Sequence, residues 1–549
     1  MNIDTLKKME KKALKSSKFD FMKLGLALLF IAGVLLYSFA TTGNVPNNIF
    51  LAIAAMFGAY MAMNIGANDV ANNVGPAVGS KALSMGGAIL IASIFEAGGA
   101  LIAGGDVVKT IKKGIIDISA FGGDSNTFIW AMMAALLAAA LWLNLATYFK
   151  APVSTTHSIV GGVMGGGIAA AGFGIVNWVT MGKIAASWII SPLLGGLIAA
   201  GFLLSIKKNI VYKDDKVAAA KTWVPIFIAI MSWAFITYLT LKGLKKVWPS
   251  IVEFVNNNLF FTLEATKKPS FLTALIFGLV IAVIVYIIMK AKLLTSAKKM
   301  KNDKASVNQL FTVPLIFAAA LLSFAHGAND VANAVGPLAA INDAVMTGTV
   351  SAKAGIPLWI MALGGVGIAI GLALYGPKLI KTVGSEITEL DQMRAFSVAM
   401  AASITVIIAS QLGLPVSSTH IAIGGVFGVG FLREWLDKNN KLSNKIDSKQ
   451  EQMVDEKKLL KAYQSELIAL EDKSKKSKDE YKRIVHLYKL IDDEEESIKK
   501  TKKSIKTAQK TEYVKRDAVK KIVAAWLITV PAAGLISAMI FFIIRGMLV

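Results

Sequence analysis

Gly66-Ala67-Asn68-Asp69-Val70-Ala71-Asn72-Asn73-Val74-Gly75-Pro76 returns as Gly327-Ala328-Asn329-Asp330-Val331-Ala332-Asn333-Ala334-Val335-Gly336-Pro337, with a single change, Asn73 to Ala334. A second element follows each copy: Pro152-Val153-Ser154-Thr155-Thr156-His157 and Pro415-Val416-Ser417-Ser418-Thr419-His420. Asp69 and Asp330 lie 261 positions apart and Pro152 and Pro415 lie 263 apart, so two separate motifs recur with nearly one offset. The chain therefore reads as two homologous halves. Each half gives one Asn-Asp element and one hydroxyl-rich element to a site at their junction.

The surrounding chain is apolar. Of 549 residues, 55% are hydrophobic and 17% charged, well below the quarter or so of a soluble domain. The formal charge of +23 does not indicate a nucleic-acid partner. Its Lys and Arg residues gather in short loops, a basic start and one polar insertion, as in a bilayer protein whose basic loops stay cytoplasmic. There is no cysteine, so thiol chemistry is excluded. The first 23 residues hold seven Lys and precede an apolar run ending at Ser38-Phe39-Ala40. A cleaved secretory signal is one reading of that start. The run is long enough to span a bilayer, which takes roughly 20 residues, so a retained helix is expected.

Apolar stretches of spanning length fall near 22–41, 47–64, 83–104, 127–149, 154–172, 177–205, 222–242, 270–291, 309–326, 356–375, 393–412, 417–432 and 522–546. The expected fold is an all-α polytopic membrane protein with two inverted-topology repeats and about 12–13 transmembrane helices. Broken helices or hairpins are expected at the motifs. With the N-terminus inside, this count puts the basic loops 206–221 and 291–308 and the Lys-rich stretch 433–521 on the cytoplasmic side, as the charge rule requires. It also directs the helix before Asp69 inward and the helix before Asp330 outward.

The expected organisation is a basic N-terminus with an extra helix (1–46), a first transport repeat (47–205), connecting helices and basic loops (206–308), a second repeat (309–432), an insertion (433–521) and a final helix (522–549). The insertion carries 25 Lys plus Arg against 18 Asp plus Glu. Ile446, Met453, Leu460 and Leu467, and again Ile484, Ile491, Ile498 and Ile505, recur every seven residues. Two such stripes predict an antiparallel helical hairpin with a narrow seam. It serves either as a solvated spacer or in regulation or oligomer stability.

Asp69 and Asp330 adjoin apolar spans, where an ionised carboxylate costs roughly 2.5 to 3.5 kcal/mol or more. A bound cation or proton would offset that cost. Asn68, Asn72, Asn329 and Asn333 add the hard oxygens that sodium-like ions accept. The alternative is that Asn-Asp after Gly only caps a helix. In the hydroxyl elements, a rigid helix start and successive hydroxyls at Ser154, Thr155 and Thr156, and at Ser417, Ser418 and Thr419, suit a compact oxyanion. The plainer reading is capping followed by small-residue helix packing. His157 and His420 occupy matched places, for orienting the loop by hydrogen bonds or for handling protons. Glu96, the only acid within the stretch 83–104, is a further candidate, whereas Asp106, Lys109, Lys112 and Lys113 read as a solvated loop.

These matched segments resemble the signature of the inorganic phosphate transporter (PiT) family. The resemblance covers most of 47–432 and resumes from about 520 to 546, including Gly105-Asp106-Val107-Val108-Lys109-Thr110-Ile111. It implies a secondary active symporter, not an enzyme, that imports inorganic phosphate with sodium or protons by alternating access of two inverted repeats. It also implies a homodimer in the plasma (inner) membrane. By this resemblance Asn68, Asp69, Asn329 and Asp330 contribute to the cation and phosphate site, with Asp69 and Asp330 as sodium ligands if sodium is the coupling ion. Ser154, Thr155, Thr156, Ser417, Ser418 and Thr419 hold phosphate oxygens, and Glu96 matches an acidic position associated with cation coupling. Many members have a further acid shortly before the second hydroxyl loop, where this chain has Val398. No cofactor is expected beyond the coupling cation. A passive anion channel, and a transporter of another tetrahedral oxyanion, are the alternatives. A membrane enzyme acting on phosphate esters has less support, since no Walker-type loop or histidine cluster appears.

Overall fold

A computed structural model describes residues 3–43, 45–149, 153–245, 247–259, 261–296, 300–348, 356–386, 390–437, 443–473, 475–509 and 516–548. The first part contains α1 (Ile3–Thr41), α2 (Asn48–Asn68), α3 (Val70–Gly79), α4 (Met85–Ala103), α5 (Gly105–Lys113), α6 (Ser125–Tyr148), α7 (Thr155–Ala171) and α8 (Trp178–Ile206). Next come α9 (Lys216–Gly243), α10 (Trp248–Asn258), α11 (Phe271–Ser296) and α12 (Lys304–Gln309). The second part contains α13 (Thr312–Thr347), α14 (Leu358–Glu386), α15 (Gln392–Gln411) and α16 (Ser418–Asp437), followed by α17 (Ser443–Glu471), α18 (Lys478–Gln509) and α19 (Arg516–Leu548).

Among the described residues, eleven helices are long and apolar enough to cross a membrane. The shorter motif helices α7 and α16 account for the other two of the thirteen apolar stretches. The chain is a multi-pass, all-helical membrane protein. Leu272, Ile276, Leu279, Val283 and Ile287 stand exposed along α11, a stripe that only lipid can cover without cost.

Two helix crossings set the frame, and each half uses its motif glycine in the same way. A methyl group on Gly66 of α2 would lie 1.9 Å from the Ile368 carbonyl of α14, and one on Gly371 would lie 2.0 Å from the Met63 carbonyl. In the other crossing, a methyl on Gly327 of α13 would lie 2.2 Å from the Glu96 carbonyl of α4, and one on Gly99 2.0 Å from the Phe324 carbonyl. The index sums are constant in each pair, so the partners run antiparallel with their backbones in direct contact.

The Asn-Asp motifs do not break their helices as expected. Asp69 sits between α2 and α3 with helical dihedrals, φ −77° and ψ −38°, while α13 runs unbroken from Thr312 to Thr347. The interruption comes instead at the hydroxyl elements. Gly162 and Gly166 of α7 pack on Ala135 and Ala131 of α6, so α6 and α7 form an antiparallel hairpin. The corresponding pair in the second half, α15 and α16, is in contact through Val398 and Gly425. Val398 is thus a buried helix-packing residue, and its counterpart at the same offset, Ala135, packs likewise on Gly162.

The helices that follow the two hydroxyl helices are exchanged. A methyl on Gly165 of α7 would meet Gly534 of α19 at 2.1 Å, and one on Gly428 of α16 would meet Gly196 of α8 at the same distance. A third recurrence underlies this arrangement. Trp188 and Gly196 match Trp526 and Gly534 at an offset of 338, larger than 263 because residues 433–521 intervene.

Residues 105–113, read from sequence as a solvated loop, form helix α5. Asp106 pairs there with Lys242 of α9. Burial alone would raise the Asp106 carboxyl, but Lys242, with Lys245 and Lys109, outweighs it and holds the group below the usual carboxylate range. Lys112 is only 3% exposed and pairs with Asp343 of α13, itself equally buried. Leaving one such charge alone costs about 3–5 kcal/mol. Lys112→Met is therefore expected to cut the yield of folded protein severely, and Lys112→Met with Asp343→Leu to restore much of it. Size-exclusion profiles in detergent check this, and a single variant as well behaved as the double would refute it.

Residues 430–516 form a separate unit, the expected helical hairpin. Met453, Leu460, Leu467, Ile484, Ile491 and Ile498 all lie at least half-buried along α17 and α18, and Leu487 is fully buried between them. The side chains of Ile446 and Ile505 lie outside the described residues. Ser477 and Glu480 cap the start of α18 reciprocally, with Glu480 N–H donating to Ser477 Oγ (3.2 Å) and Ser477 N–H donating to Glu480 Oε2 (2.7 Å).

Candidate functional site

The two acids come together. Thr155 Oγ1, at the start of α7, donates to Asp69 Oδ2 at 2.6 Å and lies 3.3 Å from Asp330 Oδ2. Thr419 Oγ1, from the other hairpin, donates to Asp69 Oδ1 at 2.6 Å, and Ser418 Oγ reaches Asp330 Oδ2 at 3.3 Å. Asp69 is 1% exposed, and Asp330, Thr155, Ser418 and Thr419 are fully buried. The side chain of Asp69 makes no helix-capping bond; both its oxygens accept hydrogen bonds from hydroxyls of the two hairpin tips.

The asparagines divide into two pairs. Asn72 Nδ2 donates to Thr419 Oγ1 at 2.8 Å, and Asn333 Nδ2 donates to Thr155 Oγ1 (3.0 Å) and Thr156 Oγ1 (3.1 Å). These amides hold the hydroxyl oxygens, so the protons of Thr155 and Thr419 point at Asp69. Asn68 and Asn329 instead brace the approaches to the tips. Asn68 Nδ2 donates to Thr147 Oγ1 (3.0 Å), while Asn329 Nδ2 donates to Ser410 Oγ (2.9 Å) and the Leu414 carbonyl (3.2 Å).

Within the hydroxyl elements the roles also separate. Ser154 and Ser417 are caps, accepting from the backbone N–H of His157 (3.1 Å) and His420 (3.2 Å). Thr156 Oγ1 donates to the Val416 carbonyl at 2.9 Å and ties one tip to the other. Pro152 lies outside the described residues. The ring nitrogens of His157 and His420 have no side-chain hydrogen-bond partner among the described residues, and the Trp526 backbone lies beside the His157 ring. Ring contacts with Trp188, Trp526 and each other hold these imidazoles, in place of the side-chain hydrogen bonds expected from sequence.

Glu96 does not touch the two aspartates, because another residue stands between. His326 Nδ1 lies 2.7 Å from Glu96 Oε2, and His326 Nε2 lies 3.1 Å from Asp330 Oδ2, an ion-pair contact without hydrogen-bond alignment. Asn73 Nδ2 donates to Glu96 Oε1 at 2.8 Å. The result is a buried polar chain from Asn73 through Glu96 and His326 to Asp330. Sequence reasoning passed over His326, although the signal was there: the residue before the second Gly-Ala-Asn-Asp is histidine, where the first copy has Ile65. The chain exists on one side only, since Ile65 and Ala334 occupy the places of His326 and Asn73 in the other half.

The arrangement fits a hard cation. Asp69, His326 and Asp330 can each offer a ligand atom within 4.8 Å of the others. Asp330 Oδ1 and the side-chain oxygens of Asn72, Asn73 and Asn333 are buried acceptors with no partner among the described residues. Such oxygens are costly unless a cation or water satisfies them.

Buried acids, paired hairpin tips and many membrane helices define a membrane transport protein. Residues 65–537 match the phosphate transporter family, and this chain belongs to that family, whose members are permeases and not enzymes. A candidate phosphate permease of Helicobacter pylori is 49% identical over 98% of both chains. One of Thermococcus kodakarensis is 39% identical over 70% of this chain and 89% of its own. A solved structure described as "The sodium-dependent phosphate transporter" superposes with a TM-score of 0.69 at 30% identity, covering 90% of this chain and 99% of its own.

Proposed function

We propose that this chain is a secondary active symporter that imports inorganic phosphate together with sodium or protons. Asp69 carries the reading, because it accepts one hydroxyl hydrogen bond from each hairpin tip. A threonine hydroxyl has one proton to give. Thr155 and Thr419 can donate to a phosphate oxygen only if Asp69 releases them, and a cation on Asp69 and Asp330 is the group that lets this happen. Electrostatics acts in the same direction. Two unit charges about 5 Å apart repel by roughly 3 kcal/mol at an effective dielectric near 20, so phosphate does not enter beside two bare aspartates.

Cations bind to Asp69, Asp330 and the oxygens of Asn72 and Asn333, with Glu96 acting through His326. Phosphate takes hydroxyls from Thr155, Thr156, Ser418 and Thr419. The loaded site is close to neutral and changes its exposure, whereas a half-loaded site is held back by its charge. The two halves, inverted with respect to one another, serve in turn as inner and outer gate. A hairpin that turns back inside the membrane returns to the side it left, so the positions of the basic loops hold: the N-terminus and residues 433–521 are cytoplasmic, in the plasma membrane. The unit is a homodimer.

The test is labelled-phosphate uptake into proteoliposomes with a sodium or a proton gradient imposed separately. Accumulation above equilibrium driven by one gradient is expected. Equilibration that ignores both gradients would indicate a passive pore. Thr419→Val removes a donor while nearly keeping the shape, so it is expected to raise the phosphate KM about five- to tenfold, the size of one hydrogen bond. An unchanged saturation curve would assign Thr419 to packing.

A further inference from the structure

From the aromatic row behind the hydroxyl turns, we infer that Trp188 and Trp526 are positioning residues for the phosphate-binding hydroxyls, each acting through the histidine it covers. The inference rests on the transport reading above. His157 and His420 directly follow the hydroxyls of their tips, yet their ring nitrogens meet no side-chain hydrogen-bond partner among the described residues, and the Trp526 backbone lies beside the His157 ring. What fixes these rings is ring contact. Trp188 lies 3.8 Å from His157 between centroids, His157 lies 4.5 Å from His420 edge to face, and His420 lies 3.6 Å from Trp526 in a stack of 28°.

The four rings form one row from α8 to α19, and its centre is the meeting point of the two hairpin tips. His157 is 5% and His420 1% exposed, so neither ring faces bulk solvent. Each histidine lies in the first turn of its helix, and its ring position sets the rotation of that turn. The same rotation aims Thr155, or Ser418 and Thr419, at the acids and Thr156 at the opposite tip. Trp188 adds a second hold, as its Nε1–H donates to the Pro415 carbonyl at 3.3 Å, two residues before Ser417 of the opposite tip. Pro152, which corresponds to Pro415 in the sequence, lies outside the described residues.

The exchanged packing makes this row the bearing between two bodies. Helix α19 is locked to α7 through Gly161 and Gly165, and α8 to α16 through Gly424 and Gly428. Each tryptophan thus travels with the hydroxyl helix of the other half while lying against the histidine of its own. Displacing one ring would misalign both tips.

Phosphate KM and maximal uptake rate per folded protein in proteoliposomes test the inference. Trp188→Leu and Trp526→Leu are expected to raise KM about tenfold, equivalent to about 1.4 kcal/mol, with the maximal rate changing less than about twofold. Trp188→Phe and Trp526→Phe keep a stacking ring and should return KM to within about threefold of wild type. In a His420→Ala background, Trp526→Leu should add less than about twofold, because the indole acts through the imidazole. Unchanged KM in the Leu variants, full additivity with His420→Ala, or Phe variants no better than Leu would overturn the proposal. Should a Leu variant fail to accumulate, His157→Ala and His420→Ala read the same contacts from the other side, and a wild-type KM there overturns it equally. Absence of phosphate uptake by the wild-type protein overturns both readings. Uptake by the wild type with indifferent tryptophans overturns this one alone.

Discussion

Asp69→Asn is expected to lower phosphate uptake on the order of a hundredfold, about 2.7 kcal/mol, while leaving the amount of folded protein in the membrane close to wild type. Asp69 accepts the two short hydroxyl bonds, 2.6 Å each, from Thr155 of one tip and Thr419 of the other, whereas the hydroxyls of Thr155 and Ser418 reach Asp330 only at 3.3 Å. An asparagine has the same shape but one acceptor oxygen. Its amide can donate to the oxygen of one threonine, whose hydroxyl then turns, so the fold persists. The negative charge that attracts the coupling cation is gone, and with it the means of releasing the hydroxyls. Hydrogen bonds to charged groups are worth about 1.5–3 kcal/mol each, which sets the scale of the loss. Initial uptake rates normalised to quantitative blots of membrane fractions give the comparison. A wild-type rate would remove the argument for a cation at this carboxylate.

The second large effect is on assembly. Gly66→Ala places a methyl 1.9 Å from the Ile368 carbonyl and 2.7 Å from the Leu372 nitrogen. Both are backbone atoms of α14, so no side chain can turn aside, and α2 must move off its partner. Gly327→Ala does the same against Glu96 of α4. Overpacking of this kind costs roughly 1–3 kcal/mol even where side chains can adjust, and more where two backbones touch. Both variants are expected to lose most of their folded protein, seen as absent or aggregated peaks in fluorescence-detected size exclusion. Gly86→Ala is the control, since nothing lies within 4 Å of its added methyl and alanine favours the helix. A normal peak for Gly66→Ala would mean that the α2–α14 crossing is looser than described.

Much of this molecule was legible in its sequence, because a bilayer demands long apolar runs and because duplication writes each functional element twice. All thirteen apolar stretches contain helix, and the meeting of Asp69, Asp330, Thr155, Ser418 and Thr419 follows from the recurrence of their motifs. What stayed hidden is instructive. Helix bounds were short at the Asn-Asp motifs: Pro76 and Pro337 follow Gly75 and Gly336 and suggest a break, but both lie inside helices. Lys112 looked solvated because its partner Asp343 is 231 positions away. Asn68 and Asn329 resembled ligands by type, yet only geometry distinguishes an amide that faces a cavity from one that braces a loop. His326 escaped because a search for matched pairs overlooks the residue that has no match. Trp188 and Trp526 escaped because the insertion shifted their offset away from that of the other motifs.

The exchanged last helix bears on how the protein comes into being. Trp142 of α6 donates to Thr529 of α19 across 387 positions of chain, and Gly161 and Gly165 of α7 require the backbone of α19 beside them. Synthesis proceeds from the N-terminus, so the first hairpin waits in the lipid, one flank bare, until almost everything downstream has been translated. Maturation of the early half is thereby tied to completion of the late one, and ribosomes that stall before codon 530 leave behind a nascent product that quality-control proteases can recognise as unfinished.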